Sequence, residues 1–101
     1  MADSDRRPTC LSDAEIADAT ASLADWSVRD EAIVKSFTLA NFADAIEFVR
    51  HVAEIAESAD HHPDIDIRCH TVHIKLTTHD CGGLSIRDFG LATQIDQIPR
   101  G

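Results

Sequence analysis

The chain has 101 residues, 44% of them apolar and 27% charged, with nine basic side chains against eighteen acidic ones for a net charge of −9. That length fits one domain with a modest core, here residues 1–101 as a single unit whose polar residues 1–10 are expected to fray. The acid excess argues against a phosphate-backbone surface, which needs a basic patch, and so against direct contact with nucleic acid or an anionic membrane.

The first helix is announced by Leu11-Ser12-Asp13-Ala14-Glu15-Ile16. Ser12 and Glu15 have capping-box spacing, Leu11 can staple onto Ile16, and Ile16, Ala19 and Leu23 carry an apolar stripe inward. Asp25 to Arg29 then alternates, which points Trp26 and Val28 toward a core. Asp30-Glu31 turns the chain into a second strand, Ala32–Leu39, whose apolar face Lys35 interrupts. From an Asn41 cap to about Ala59 runs the longest helix. Phe42, Ala45, Ile46, Val49, Ala53 and Ala56 form one stripe, and Phe48, Val52, Ile55 and Ala59 form another beside it. Together they make a face wider than one sheet covers. Either the helix is central and deeply buried, or its second face, with Phe48, Val52 and Ile55, meets the same helix of another copy in a homo-oligomer.

Pro63 forces His62 into extended backbone and stops that helix. Ile65, Ile67 and Cys69 alternate with polar residues, as do Val72, Ile74 and Leu76. A two-residue turn at His70-Thr71 pairs Cys69 with Val72, Ile67 with Ile74 and Ile65 with Leu76, all on one face. After Gly82-Gly83, Ser85 and Asp88 repeat the box spacing, and the last helix turns Leu91, Ala92, Ile95 and Ile98 inward and ends before Pro99. The order α-β-β-α-β-β-α with hairpin connections predicts an α+β two-layer sandwich: a four-stranded antiparallel sheet with helices on one face.

Three of the six histidines, His61, His62 and His79, fall at the end of the long helix and the end of the last strand, which antiparallel pairing brings to one edge. Imidazole has its unperturbed pKa nearest neutrality, so such a cluster suits proton transfer. His51 and His70 are read as surface residues, and His73 as lying on the solvated side of its strand. His61, His62, His79, Asp80 and Cys81 include zinc-binding types, but without a chelating spacing; metal-free acid–base work is expected. Nothing marks Cys81 as a nucleophile. Cys10, Cys69 and Cys81 are odd in number and read as free thiols of a reducing cytoplasm. No apolar run approaches a membrane span, and no export signal opens the chain. Asp88 has two readings: as the partner of Ser85 it completes a capping box, the ordinary use, or, since the loop from His79 to Ser85 is short, it also lies near the histidines.

Glu57-x-x-x-His61-His62-Pro63, Val72-His73-Ile74, and Leu76-Thr77-Thr78-His79 through Gly83-Leu84-Ser85 to Arg87-Asp88, together with Trp26, resemble the pterin-4a-carbinolamine dehydratases. The resemblance implies the two-layer sandwich. It also implies dehydration of 4a-hydroxytetrahydropterin to quinonoid dihydropterin, which recycles tetrahydrobiopterin for aromatic amino acid hydroxylases, with no metal or bound cofactor. By position it makes His61, His62 and His79 catalytic, and Pro63, Thr78, Asp80, Cys81 and Asp88 substrate-binding. His61 and His79 would share the two proton transfers while His62 orients the hydroxyl or charge. The chain departs from the family at Cys69, where an aromatic is usual; on the register above this thiol faces the helix-covered side. Some members of the family act as dimerisation partners of a transcription factor or have been proposed to assist assembly of larger complexes. A non-catalytic partner role is therefore the alternative, and the intact histidines favour the enzyme.

Overall fold

The computed structural model describes residues 9–100, so most of the stretch expected to fray lies outside the described residues. Helices α1 (Asp13–Ala21), α2 (Phe42–Ala59) and α3 (Ile86–Asp96) alternate with strands β1 (Ser27–Arg29), β2 (Ala32–Thr38), β3 (Asp64–Arg68) and β4 (Thr71–Leu76), in the order expected. The strands form one antiparallel sheet in the order β1-β2-β4-β3. Ile33 and Phe37 of β2 and Val72, Ile74 and Leu76 of β4 are buried with Phe48 and Val52 of α2 and Leu91, Ala92 and Ile95 of α3. The alternate positions Ser36, Thr38, His73, Lys75, Asp64, Asp66 and Arg68 are exposed, which leaves the opposite sheet face polar. Period-two alternation thus builds the two layers directly.

Both capping boxes form. The Ser12 hydroxyl accepts the Glu15 N–H at 3.2 Å while the Glu15 carboxylate accepts the Ser12 N–H at 2.8 Å. Lys35, the polar interruption of β2, is accounted for by its partners. Its stem lies among the core aromatics, with Nζ 4.9 Å from the Phe37 ring centre. The ammonium donates to the Asp96 carboxylate at 2.8 Å and to the Ala24 carbonyl at 3.2 Å, and the other Asp96 oxygen accepts the Trp26 indole N–H at 3.0 Å. The head is satisfied and the stem contributes packing.

Four expectations need correction. Arg68 pairs with Thr71 and Ile67 with Val72, so the β3–β4 turn is Cys69-His70 and the register is shifted by two residues. A shift of two preserves every core-facing side chain but lifts Cys69 out of the sheet. Cys69 takes φ 56, the left-handed conformation that two-residue hairpins require, and is exposed rather than facing the helices. Val28 is also exposed, at 46%, because β1 is a three-residue edge strand with a neighbour on one side only. On α2 the buried set is Ala45, Phe48, Val52 and Ala56, drawn from both predicted stripes. Phe48 packs on Phe37 with ring centres 4.8 Å apart, so it and Val52 belong to the chain's own core and are not free to meet a copy. The face left uncovered carries Phe42 and Ile46, 58% and 43% exposed. Finally, Cys10 and Cys81 are joined in a disulfide with Cα atoms 5.6 Å apart, and only Cys69 is a free thiol.

Val52 is fully enclosed and Ile46 is not, so the two positions should respond oppositely to charge. Val52→Glu buries an unpaired carboxylate and should cost about 3–5 kcal/mol, enough to remove most of the cooperative thermal transition. Ile46→Glu should leave the folded circular dichroism spectrum intact. Equal melts for the two variants would contradict this packing.

Candidate active site

The site is assembled where α2 ends, β4 ends and α3 begins. Asp60 closes α2 in left-handed backbone, φ 53 and ψ 44, with its N–H on the Ala56 and Glu57 carbonyls. That reversal turns the next residue inward: His61 is buried at 9% exposure, and its N–H still reaches the Ala56 carbonyl at 3.1 Å. His62 points out and pairs with the exposed Glu57 carboxylate at 2.8 Å. Half-buried Pro63 follows and delivers the chain to β3.

The facing segment is the loop after β4. The Thr78 N–H donates to the Gly83 carbonyl at 2.8 Å, and the Gly82 N–H returns to the Thr78 carbonyl at 3.0 Å. Gly82 sits at φ 78, where a Cβ would be strained. The loop exposes His79 and Asp80 at its tip.

Asp88, in the first turn of α3, ties these parts together and is completely buried. One carboxylate oxygen accepts the Ser85 N–H at 2.9 Å and the Thr78 hydroxyl at 2.7 Å, and the other lies 2.6 Å from His61 Nε2. Because Thr78 donates to Asp88, the Ser85 hydroxyl must donate to Thr78 across their 2.7 Å contact. As Asp88 accepts, Nε2 is the protonated nitrogen of His61, and Nδ1 is the nitrogen left for a substrate. A buried carboxylate is costly without partners; three donors and the N-terminus of α3 offset that cost here.

His61, His62 and His79 line one pocket of about 180 Å³ with Asp60, Thr77, Thr78, Asp80 and Arg87. Of the residues expected at the substrate, Thr78 and Asp80 are among the lining. Pro63, Cys81 and Asp88 are not: Pro63 sets the path of His62, the Cys81 sulfur is bonded to Cys10, and Asp88 lies behind His61. Asp60, Thr77 and Arg87 were missed as site residues, as was Glu57 as the partner of His62. Asp60 could have been found from its place between the helix end and the histidine pair, and Arg87 from its place beside Asp88. A larger hollow of about 340 Å³ between α2 and α3 holds one imidazole, His51, with Glu54, Ile55, Gln94, Gln97, Ile98 and Pro99. It lacks the convergent acid–base groups that make the smaller pocket the candidate. Among the described residues no group of three or more His, Cys, Asp or Glu side chains is arranged to hold a metal ion.

Residues 9–98 match the family model described as Pterin 4 alpha carbinolamine dehydratase. A Chloroflexus aurantiacus protein named "Putative pterin-4-alpha-carbinolamine dehydratase" is 58% identical over 88 residues, which span 87% of this chain and 95% of that one. The crystal structure of a transcriptional coactivator/pterin dehydratase from Brucella melitensis is 32% identical and superimposes with a TM-score of 0.87 over 92% of this chain and 100% of that one. A pterin dehydratase-like protein identified as a RuBisCO assembly factor in the alpha-carboxysome is 21% identical, with a TM-score of 0.58 over 70% of this chain and 82% of its own, and shares the fold alone.

Removing the Asp88 carboxylate strands three buried donors at once. Asp88→Ala should lower stability by about 2–4 kcal/mol in a denaturant titration. It should also shift the His61 ring nitrogen resonances in ¹H–¹⁵N spectra while leaving those of exposed His62 in place. Unchanged His61 resonances would contradict the contact.

Proposed function

Because the chain belongs to the pterin 4 alpha carbinolamine dehydratase family, we propose that it removes water from a 4a-hydroxytetrahydropterin to give the quinonoid dihydropterin, in the recycling of tetrahydrobiopterin. The observation that carries this reading is the convergence of His61, His62 and His79 on one pocket, with His61 held from behind by the buried Asp88. The reaction breaks the carbon–oxygen bond at C4a and a ring N–H bond. The nitrogen's electron pair becomes the new C=N bond, and the hydroxyl leaves as water once protonated.

His61 and His79 carry the two proton transfers. Asp88 supports His61 as the acceptor, since a carboxylate beside Nε2 stabilises the imidazolium formed when Nδ1 takes the proton. His79, exposed at the loop tip, then protonates the hydroxyl. His62, braced by Glu57, orients the hydroxyl or the developing charge. The amino-pyrimidinone edge of a pterin carries both donors and an acceptor. Asp60 and Asp80 offer carboxylates to the donors, Arg87 offers N–H groups to the oxo group, and Thr78 completes the lining. Pro63, Cys81 and Asp88 serve the substrate indirectly, by holding the segments that contact it.

The reaction transfers protons and expels water with no change of oxidation state, and no cofactor is called for. It belongs in the cytoplasm with the hydroxylases it would serve; no helix among the described residues is long and apolar enough to cross a membrane. The uncovered Phe42 and Ile46 support assembly into a homodimer or homotetramer through α2. The same exposed stripe is the one observation favouring the second reading, a non-catalytic dimerisation or assembly partner of another protein.

Turnover of freshly generated 4a-hydroxytetrahydropterin separates the two readings. His61→Ala and His79→Ala should each slow it by roughly 10²–10⁴-fold, and the double variant should lose far less than the product of the single losses. His62→Ala should raise KM at least as much as it lowers kcat, and His70→Ala, at the distant turn, should leave both unchanged. A folded double variant working at the wild-type rate would overturn the assignment. In a separate measurement, EDTA should leave both turnover and melting temperature unchanged; loss of both with release of stoichiometric zinc would replace proton transfer by metal chemistry.

A further inference from the structure

We propose that the Cys10–Cys81 bond is a site of reversible thiol–disulfide exchange that tethers the catalytic pocket; its effect on turnover rests on the dehydratase reading. Cys81 follows His79 and Asp80, both of which line the pocket. The backbone hydrogen bonds made by the loop tip all stay within the loop: the Cys81 N–H donates to the Thr78 carbonyl, and the Gly82 N–H to the Thr78 and His79 carbonyls. None of these fastens the tip to the rest of the fold, and the disulfide does. On its other side, Cys10 bridges to Ser85 and the Leu11 N–H donates to the Leu84 carbonyl at 2.8 Å. Ser85 in turn holds Asp88 through its N–H. The disulfide therefore adds a covalent tie from the tip of the loop that presents His79 to the segment before α1, which pairs with Ser85 beside Asp88.

The surroundings suit exchange. Cys10 is exposed and Cys81 half-buried, so an incoming thiolate reaches the Cys10 sulfur first. Attack there forms a mixed disulfide on Cys10 and releases Cys81 as a thiolate, which takes a proton. A second reductant thiol then cleaves the mixed disulfide, leaving two protein thiols and one reductant disulfide. A small disulfide such as oxidised glutathione runs the sequence in reverse.

With the bond formed, His79 is held against the pocket; with it broken, the tip samples other positions and the productive geometry is populated less. The full chain equilibrated in mixtures of reduced and oxidised glutathione tests this, with alkylation and mass measurement reporting the bond. Oxidation should raise amide-exchange protection at residues 78–84 and the melting temperature, and reduction should slow turnover by roughly 3–10-fold. Cys10→Ser, outside the pocket, should match the reduced wild type at every ratio. Cys69→Ser should keep the full response. Cys10 and Cys81 remaining unbonded in oxidised glutathione, or equal protection in both states, would overturn the tether. If protection follows the bond but neither state turns over the carbinolamine, the tether stands and the dehydratase reading falls.

Discussion

The contact on which the rest of the site depends is the one between Asp88 and its three donors. A carboxylate with no solvent exposure survives only if its lone pairs are used, and here they are used by residues from three different segments. His61 comes from the end of α2, Thr78 from the end of β4, and Ser85 from the cap of α3. Satisfying one buried group therefore docks the ends of three elements against each other, and the pocket forms at that junction. The same contacts set which ring nitrogen of His61 carries its proton. Structural stability and chemical readiness rest on one side chain.

A second carboxylate, half-buried, does a comparable job at the opposite end of α3. Asp96 accepts from Lys35 on β2 and from the Trp26 indole just before β1. Helix α3 is thus pinned at both ends by acid residues, one to the histidine corner and one to the first hairpin, while its apolar residues fill the layer between. This explains how a chain with so few aromatics keeps a charged residue in the middle of a core strand.

How much of this was legible follows from how local each signal is. The two capping boxes, the Asn41 cap and the alternation of β2, β3 and β4 involve neighbours in sequence, and all appear where expected, while the short edge strand β1 leaves Val28 exposed. That His61, His62 and His79 meet in one pocket was also legible, because antiparallel pairing brings strand ends together by geometry alone. The β3–β4 turn was misread because a left-handed residue there is announced by glycine or asparagine, and Cys69 carries no such mark. The core-facing side of α2 could not be read, since both apolar stripes satisfy the helical period and only the sheet and α3 decide between them. The disulfide was invisible for a related reason: its partners are 71 residues apart, and their meeting depends on where the segment before α1 runs relative to α3. That an exposed cap residue, Asp60, lines the pocket follows from its left-handed turn, which a helix-end signal does not specify.

The sheet order has a bearing on how the molecule reaches this state. Each hairpin closes through a short local turn, but the two central strands, β2 and β4, are neighbours in space with the whole of α2 between them in sequence. Local pairings incur little loop-closure entropy and non-local ones incur more, so the hairpins can form independently while the β2–β4 seam must wait for them and for α2 to dock. The histidine corner draws on the end of α2, the loop after β4 and the start of α3. A chain with both hairpins formed and the helices undocked would show much of the native secondary structure and have no pocket, so the pocket arrives only when α2 and α3 close on the end of β4.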